Sequence, residues 1–340
     1  MKIQYLSCHA VLEYDEMKLW TELGHEVYGN GCYRDPRGSY TLPRPGIPNA
    51  PLDEKFIELT GNNPKTKLPP ELIEPYDVLV FMSGESEQPL LQNWEAIKHK
   101  KVVWRTIGQS ISAVERSIQP LVKEGLKIVR YSPKERNIPN YAGEHTLIRF
   151  YKDPDEFTGW VGNDLRPINF TQTLKGRSLF CHYDMVLGSL VGFEGAKVYG
   201  SGNNDLGLFN GGEVTAKHQI ELLQAARVYV YAGSWPASYT LSFIEAMMMG
   251  IPIVAASKRI AHVPQLEQLD FYEVDEIIQD GKSGFICDNV EQIRFHIKEL
   301  LTDDKRANDI SKAGRARAIE LFGKATIAQQ WKTFFEKGIV

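Results

Sequence analysis

Along the first 150 residues, short apolar runs alternate with stretches whose apolar positions recur at helical spacing. Lys2–Ser7 alternates as a strand does, and Leu12, Leu19, Trp20 and Leu23 then share one face of a helix predicted over about Val11–Leu23. Gly24 stops that helix and His25–Tyr28 opens a second strand, which makes a β-α-β unit. Tyr76–Met82 and Lys101–Ile107 read as buried strands, Val114–Glu124 as a helix and Lys127–Tyr131 as a further strand. Such alternation predicts a parallel sheet covered on both faces. Residues 34–75, rich in Pro, Gly and Asn, read as a long excursion with a short helix near Lys55–Leu59. Ordered loops of that length on an α/β scaffold are often functional.

The second half repeats the pattern. Arg177–Tyr183 is read as a strand, Ala196–Tyr199 as another ending in GSGNN, His218–Ala226 as a short helix and Arg227–Tyr231 as a strand. Val290–Leu301 and Asp304–Leu321 are amphipathic helices, and a last helix is predicted at about Thr326–Lys337. No short-period repeat is present; the pattern is two similar α/β halves. The 340 residues suffice for two domains, each with its own core.

Between these elements lies the most informative stretch, GSWPASYTLSFIEAMMMGIPIVAAS at 233–257. It reads as a tight loop, a short apolar helix stopped by Gly250 and Pro252, and a buried strand over Ile251–Ala256. The hydroxyls of Ser238 and Thr240 suit the N–H groups that open a helix. A helix tip at the carboxyl edge of a sheet is an anion site. Glu245, inside an apolar helix, is costly unless paired, and a carboxylate behind an anion site suits the hydroxyls of a ribose or a sugar. Together these features point to a nucleotide-sugar diphosphate.

Composition narrows the class. Apolar residues make up 43% and charged residues 24% of the chain, as in soluble globular proteins, and the net charge of −4 supplies no general field for nucleic acid or an anionic membrane. The basic stretches His99–Lys101 and Lys123–Arg136 are compatible with an anionic acceptor, with peripheral contact to a lipid surface, or with a solvated face. Cys8, Cys32, Cys181 and Cys287 lie far apart without CxxC spacing, which reads as reduced thiols in a cytoplasmic protein and gives no expectation of a metal site. The N-terminus reads as a first strand, not a signal peptide, and no window approaches the roughly 18 apolar residues of a membrane span. The glycine pairs at Gly29–Gly31 and Gly200–Gly202 lack the third glycine of a dinucleotide fingerprint.

With these residues in view, the chain resembles retaining glycosyltransferases of the GT-B fold, the glycosyltransferase group 1 or family 4-like proteins. The likeness is carried in order by Leu23–Val27 (LGHEV), Val198–Asn203 (VYGSGN), His218–Tyr231 with Ser234–Ala255, Glu276–Ile286 (EIIQDGKSGFI) and Asp303–Phe335. It is good over 195–340 and loose over 1–150. The resemblance implies two Rossmann-like domains facing across a cleft: an acceptor domain at 1–150, a nucleotide-sugar domain at 151–320 and a helix at 321–340 crossing back to the first. It implies that Glu245 holds ribose hydroxyls and that the N–H groups of Tyr239, Thr240, Leu241 and Ser242 cradle the pyrophosphate, with Ser238 and Tyr239 offering hydroxyls to the donor. Gly200 and Ser201 would approach the nucleotide or form a simple turn. The family's basic pair follows the first strand of the second domain; Lys152, Arg166, Lys175 and Arg177 are the candidates, of which Lys152 and Arg177 are favoured. The glutamate that usually touches the donor sugar is replaced by Ala237. The histidine expected after the RTIGQS strand is missing, leaving Arg105 and Gln109 there and His9 after the first strand as candidate reaction-centre groups.

The implied reaction is metal-independent transfer of a hexose-type sugar from a nucleoside diphosphate, UDP- or GDP-linked, to an acceptor hydroxyl with retention. The acceptor is a glycan, a lipid-linked molecule, a protein or a modified nucleobase. Two other readings stay open: a non-catalytic sugar-nucleotide-binding partner of another transferase, and a DNA-modifying glycosyltransferase, which needs a basic cleft face.

Overall fold

Strands buried on both faces need no polar alternation, and the strongest runs behave that way: all five residues of Val78–Met82 and all six of Ala226–Tyr231 are buried. A computed structural model describes residues 1–34, 43–48, 50, 54, 57–58, 67–84, 87–108, 110–263 and 270–338. Most of the helix expected near Lys55–Leu59, and Gln109, lie outside the described residues. The chain divides into two units, Met1–Phe150 with Ala325–Val340, and Tyr151–Lys324.

Among the described residues, unit 1 carries strands β1 (Lys2–Leu6), β2 (Glu26–Gly29), β3 (Val78–Met82), β4 (Lys101–Arg105), β5 (Lys127–Arg130) and β6 (Thr146–Leu147). They form one sheet in the order β2-β1-β3-β4-β5-β6, every pair parallel. Helices Ala10–Glu22 and Ser112–Lys123 agree with the periodicity to within two residues. Helix Glu87–Ile97 was not expected; Pro89 in its first turn hides it. The loop after β2 is tied down by Glu13, which is buried and accepts from the N–H groups of Gly31 (3.1 Å) and Tyr33 (2.7 Å). Burial pushes this carboxyl up to about 7. The closing helix Lys324–Thr333 brings Trp331 onto Trp20, ring centroids 4.9 Å apart, in the core of this unit.

Unit 2 carries β7 (Asp164–Phe170), β8 (Lys197–Tyr199), β9 (Asn210–Gly212), β10 (Ala226–Tyr231), β11 (Ile253–Ala256) and β12 (Phe285–Cys287). Their order is β12-β11-β10-β7-β8-β9, again parallel throughout. The strand predicted at Arg177–Tyr183 is absent. That segment forms helices Ser178–Cys181 and Tyr183–Leu190, broken at His182, whose φ of 55° is left-handed. The strand lies earlier, at DLRPINF, masked by its polar positions and by Pro167; a register shift against β10 between Ala226 and Val228 accommodates the proline.

Candidate functional site

Sheet order locates the site before any side chain is considered. In unit 2 the chain builds β7, β8 and β9 outward, then returns to lay β10 against the other side of β7. The loops leaving β7 and β10 therefore diverge, and ligands of doubly wound sheets bind in the crevice that opens at such a reversal. Arg177, in the loop after β7, donates from Nη2 to Ser234 Oγ in the loop after β10 at 3.1 Å.

The loop after β10 passes a cis Trp235–Pro236 peptide and reaches Thr240, which caps helix Leu241–Met249 by accepting the N–H of Phe243 at 3.4 Å. Thr240, Leu241 and Ser242 are partly exposed at this tip, and the hydroxyls of Thr240 and Ser242 lie 3.0 Å apart. Gly250, at φ 92°, closes the helix and returns its N–H to the carbonyls of Ala246 and Met247. The aligned peptide dipoles put partial positive charge at Leu241 and Ser242. Ser238 and Tyr239 depart from expectation: both side chains are buried, and the Tyr239 ring packs on Phe322 at 5.3 Å. Their contribution is to hold the loop, not to present hydroxyls.

Glu245 is only 4% exposed. One carboxylate oxygen pairs with Lys152 Nζ at 2.6 Å and the other accepts from Gln219 Nε2 at 2.5 Å. Lys152 is itself 3% exposed. Lys152 is thus the counter-ion of a carboxylate that an apolar helix could not otherwise bury, and the expectation that it meets phosphate is corrected. The basic groups that directly follow the first strand of this unit are Lys175, with a side chain 54% exposed, and Arg177. Lys175 was among the four candidates but was not one of the two favoured.

Gly200 is explained by protein, not ligand. At φ 132°, a Cβ there would lie 2.9 Å from the Thr171 carbonyl and 3.1 Å from Gln172 Cα. The Ser201 carbonyl accepts the N–H of Thr173 at 2.8 Å, and the Asn203 side chain ties the same two loops by bonding Leu174 N–H, Thr171 O and Gly200 O. Close approach at Gly200 therefore locks the loops after β7 and β8 together.

The loop after β10 and the segment after β11 line a cavity of about 210 Å³. Its walls include Trp235, Ala237, Lys258, His262, Asp270 and Tyr272. Lys258 Nζ and an Asp270 oxygen are 2.5 Å apart. Sequence reasoning gave no sign of Lys258, His262 or Asp270, which lie 21 to 33 residues beyond Ala237 and meet it only through the fold.

In unit 1 the sheet order reverses between β1 and β3, so the loops at Ser7–His9 and Ser83–Gly84 are the corresponding position. Cys8 Sγ donates to the Ser83 carbonyl at 3.2 Å across it. His9 caps helix Ala10–Glu22, Nδ1 accepting the N–H of Leu12 at 3.4 Å. An accepting Nδ1 leaves the proton of neutral imidazole on Nε2. Arg105 is corrected as a reaction-centre group. It is 0% exposed, bonded through Nε to Glu16 (2.8 Å) and through Nη1 to the Ile148 carbonyl (2.7 Å), and lies over the Trp331 ring. Glu16 also accepts from the Tyr5 hydroxyl. Among the described residues no group of three or more His, Cys, Asp or Glu side chains is placed to hold a metal, and no helix is long and apolar enough to cross a membrane.

No protein-family model matches the chain. The spore coat protein SA of Bacillus subtilis (strain 168) is 24% identical over 127 residues, which span 36% of this chain and 30% of that protein. Three solved structures are similar over 99% of the chain. Sucrose-phosphate synthase from Thermosynechococcus elongatus matches over 98% of its length at 13% identity, with a TM-score of 0.67. HepE from Anabaena, solved in complex with UDP-glucose, matches over 99% of its length at 16% identity, with a TM-score of 0.67. A glycosyltransferase from Rickettsia africae matches over 98% of its length at 13% identity, with a TM-score of 0.64. At these identities the likeness establishes the fold: two parallel-sheet α/β domains of six strands each, the GT-B architecture.

Proposed function

We propose that the chain is a glycosyltransferase that binds a nucleoside-diphosphate sugar, UDP- or GDP-linked, at the strand-order reversal of unit 2 and passes the sugar to an acceptor hydroxyl held by unit 1. The observation that carries this is Arg177 bonded to Ser234 across the loops after β7 and β10, the second of which runs on to the capped helix start at Leu241. A diphosphate seated there accepts from the N–H groups of Leu241 and Ser242 and pairs with Arg177 and Lys175. As the glycosidic bond breaks, these groups stabilise the negative charge growing on the leaving phosphate, a task they perform without a metal in this reading. Glu245, anchored by Lys152, turns its second oxygen from Gln219 to the ribose hydroxyls. The acceptor proton passes to the leaving phosphate and the anomeric configuration is retained. His9 donates from Nε2 to bound substrate. The likeness to HepE solved with UDP-glucose supports the donor class, and the free thiols of all four cysteines fit a cytoplasmic setting.

A second reading, a sugar-nucleotide-binding protein without turnover, draws support from Ala237 in the loop and from the capping role of His9. One experiment addresses both. Native protein is incubated with a panel of UDP- and GDP-sugars, and release of free nucleotide is followed. Release supports transfer chemistry; binding without release for every donor and acceptor supports the second reading. Arg177→Ala lowers UDP or GDP affinity about tenfold or more, as loss of a charged hydrogen-bonding group does. Unchanged affinity removes the crevice from consideration.

A further inference from the structure

Position 237 borders the 210 Å³ cavity with a methyl group, and the charged side chains among the described lining residues are Lys258 and Asp270. Their side chains pair at 2.5 Å while remaining 48% and 44% exposed. An ion pair that open to water contributes little to folding, yet it is fixed in place. Lys258 donates its main-chain N–H to both oxygens of Asp275 at 3.0 Å, and the neighbouring Tyr272 ring is held by its hydroxyl on the Ala256 carbonyl at 2.8 Å. Of such a pair the carboxylate accepts from one hydroxyl and the ammonium donates to the next, which matches adjacent hydroxyls on a pyranose. The aromatic side chains of Trp235 and Tyr272 line the same cavity and supply apolar surface for its C–H groups. The volume falls below the roughly 300–1,000 Å³ of pockets that enclose drug-sized ligands, so it suits one sugar ring rather than a whole nucleotide sugar.

We infer that Asp270, paired with Lys258, reads the hydroxyls of the donor's sugar in this cavity and supplies the carboxylate that position 237 does not carry. The cavity takes a neutral hexose. A uronate would set its own carboxylate beside Asp270 and compete with it for the Lys258 ammonium, which disfavours it against a neutral hexose.

This inference rests on the donor reading of unit 2, and the test separates the two. Titration calorimetry compares UDP with UDP-glucose and UDP-glucuronate, and GDP with GDP-mannose, on native protein and on Asp270→Asn. The native chain binds a nucleotide, binds its hexose conjugate more tightly, and binds UDP-glucuronate more weakly than UDP-glucose. Asp270→Asn removes about tenfold of the hexose conjugate's affinity and leaves the bare nucleotide unchanged. A double variant, Ala237→Glu with Asp270→Asn, recovers part of the loss by returning a carboxylate to the same cavity. Equal affinities for nucleotide and conjugate on native protein overturn the inference, and so does a variant in which both fall together or neither changes. Failure of the native chain to bind either UDP or GDP rejects the donor reading itself.

Discussion

Replacing Glu245 separates two roles that meet in one side chain. Glu245→Ala leaves the Lys152 ammonium, 3% exposed, without the carboxylate that now lies 2.6 Å away. Removing one partner of a buried pair costs about 3–5 kcal/mol, because the remaining charge stays desolvated and uncompensated. Lys152→Met with Glu245→Leu removes both charges at similar volume, and such replacement is close to neutral or stabilising. Urea unfolding with linear extrapolation reads the difference. The single variant loses several kcal/mol and the double variant lies near the native chain. Nucleotide binding follows the other role. If the second oxygen of Glu245 serves the ribose, the stabilised double variant still loses about 1.5–3 kcal/mol of UDP or GDP affinity, roughly 10- to 150-fold. A double variant that binds as tightly as native protein refutes the ribose assignment, since its fold is intact. A single variant that costs less than about 1 kcal/mol refutes the pairing argument, because a cost that small belongs to a solvent-exposed ion pair.

The other expectations are structural. Gly200→Ala forces a Cβ to within 2.9 Å of the Thr171 carbonyl at φ 132°, and destabilises the protein by about 1–3 kcal/mol in urea unfolding. Trp331→Ala empties the core beside Trp20 at a cost of about 3–5 kcal/mol, read as a lower thermal midpoint. Glu13 titrates at about 7 in the folded chain against 4.5 unfolded, so the native state binds the proton more tightly and its share of stability is full below about pH 4.5 and lost as pH rises through 7. That share is of order 3 kcal/mol. Glu135 shifts the same way, also to about 7, and Glu13→Gln flattens the fall in stability seen by urea unfolding between pH 5 and 8.

The fold was largely legible because parallel strands buried on both faces announce themselves as unbroken apolar runs. Val78–Met82 and Ala226–Tyr231 could hardly be anything else. β7 was not legible. Its Asp164, Arg166 and Pro167 imitate a loop, because a register shift at β10 lets a proline sit inside the sheet. The strand was placed at Arg177–Tyr183 instead, where the chain forms two short helices. The helix at 241–249 was readable from local rules, a cap and a stop, and the structure keeps both.

The candidate site was legible only where chemistry follows chain order. Thr240 and Ser242 lie at a helix start and Arg177 in a loop that a β-α alternation already implies, so sequence could nominate them. Burial decides the rest, and burial is a property of the whole fold. Arg105 reads as a cation at a strand end, yet Glu16, 89 residues away, and the Ile148 carbonyl enclose it completely. Lys152 reads as one surface lysine among several, yet it closes a pair with a helix 93 residues further on. The converse holds for Asp270 and Lys258. Neither stands in a recognisable pattern, and both remain half exposed beside a cavity whose other wall is a missing side chain. A charge pair the fold leaves half exposed still meets solvent, whereas a pair the fold encloses is held wholly by protein. That distinction, more than residue type, divides the groups proposed to bind from the structural ones.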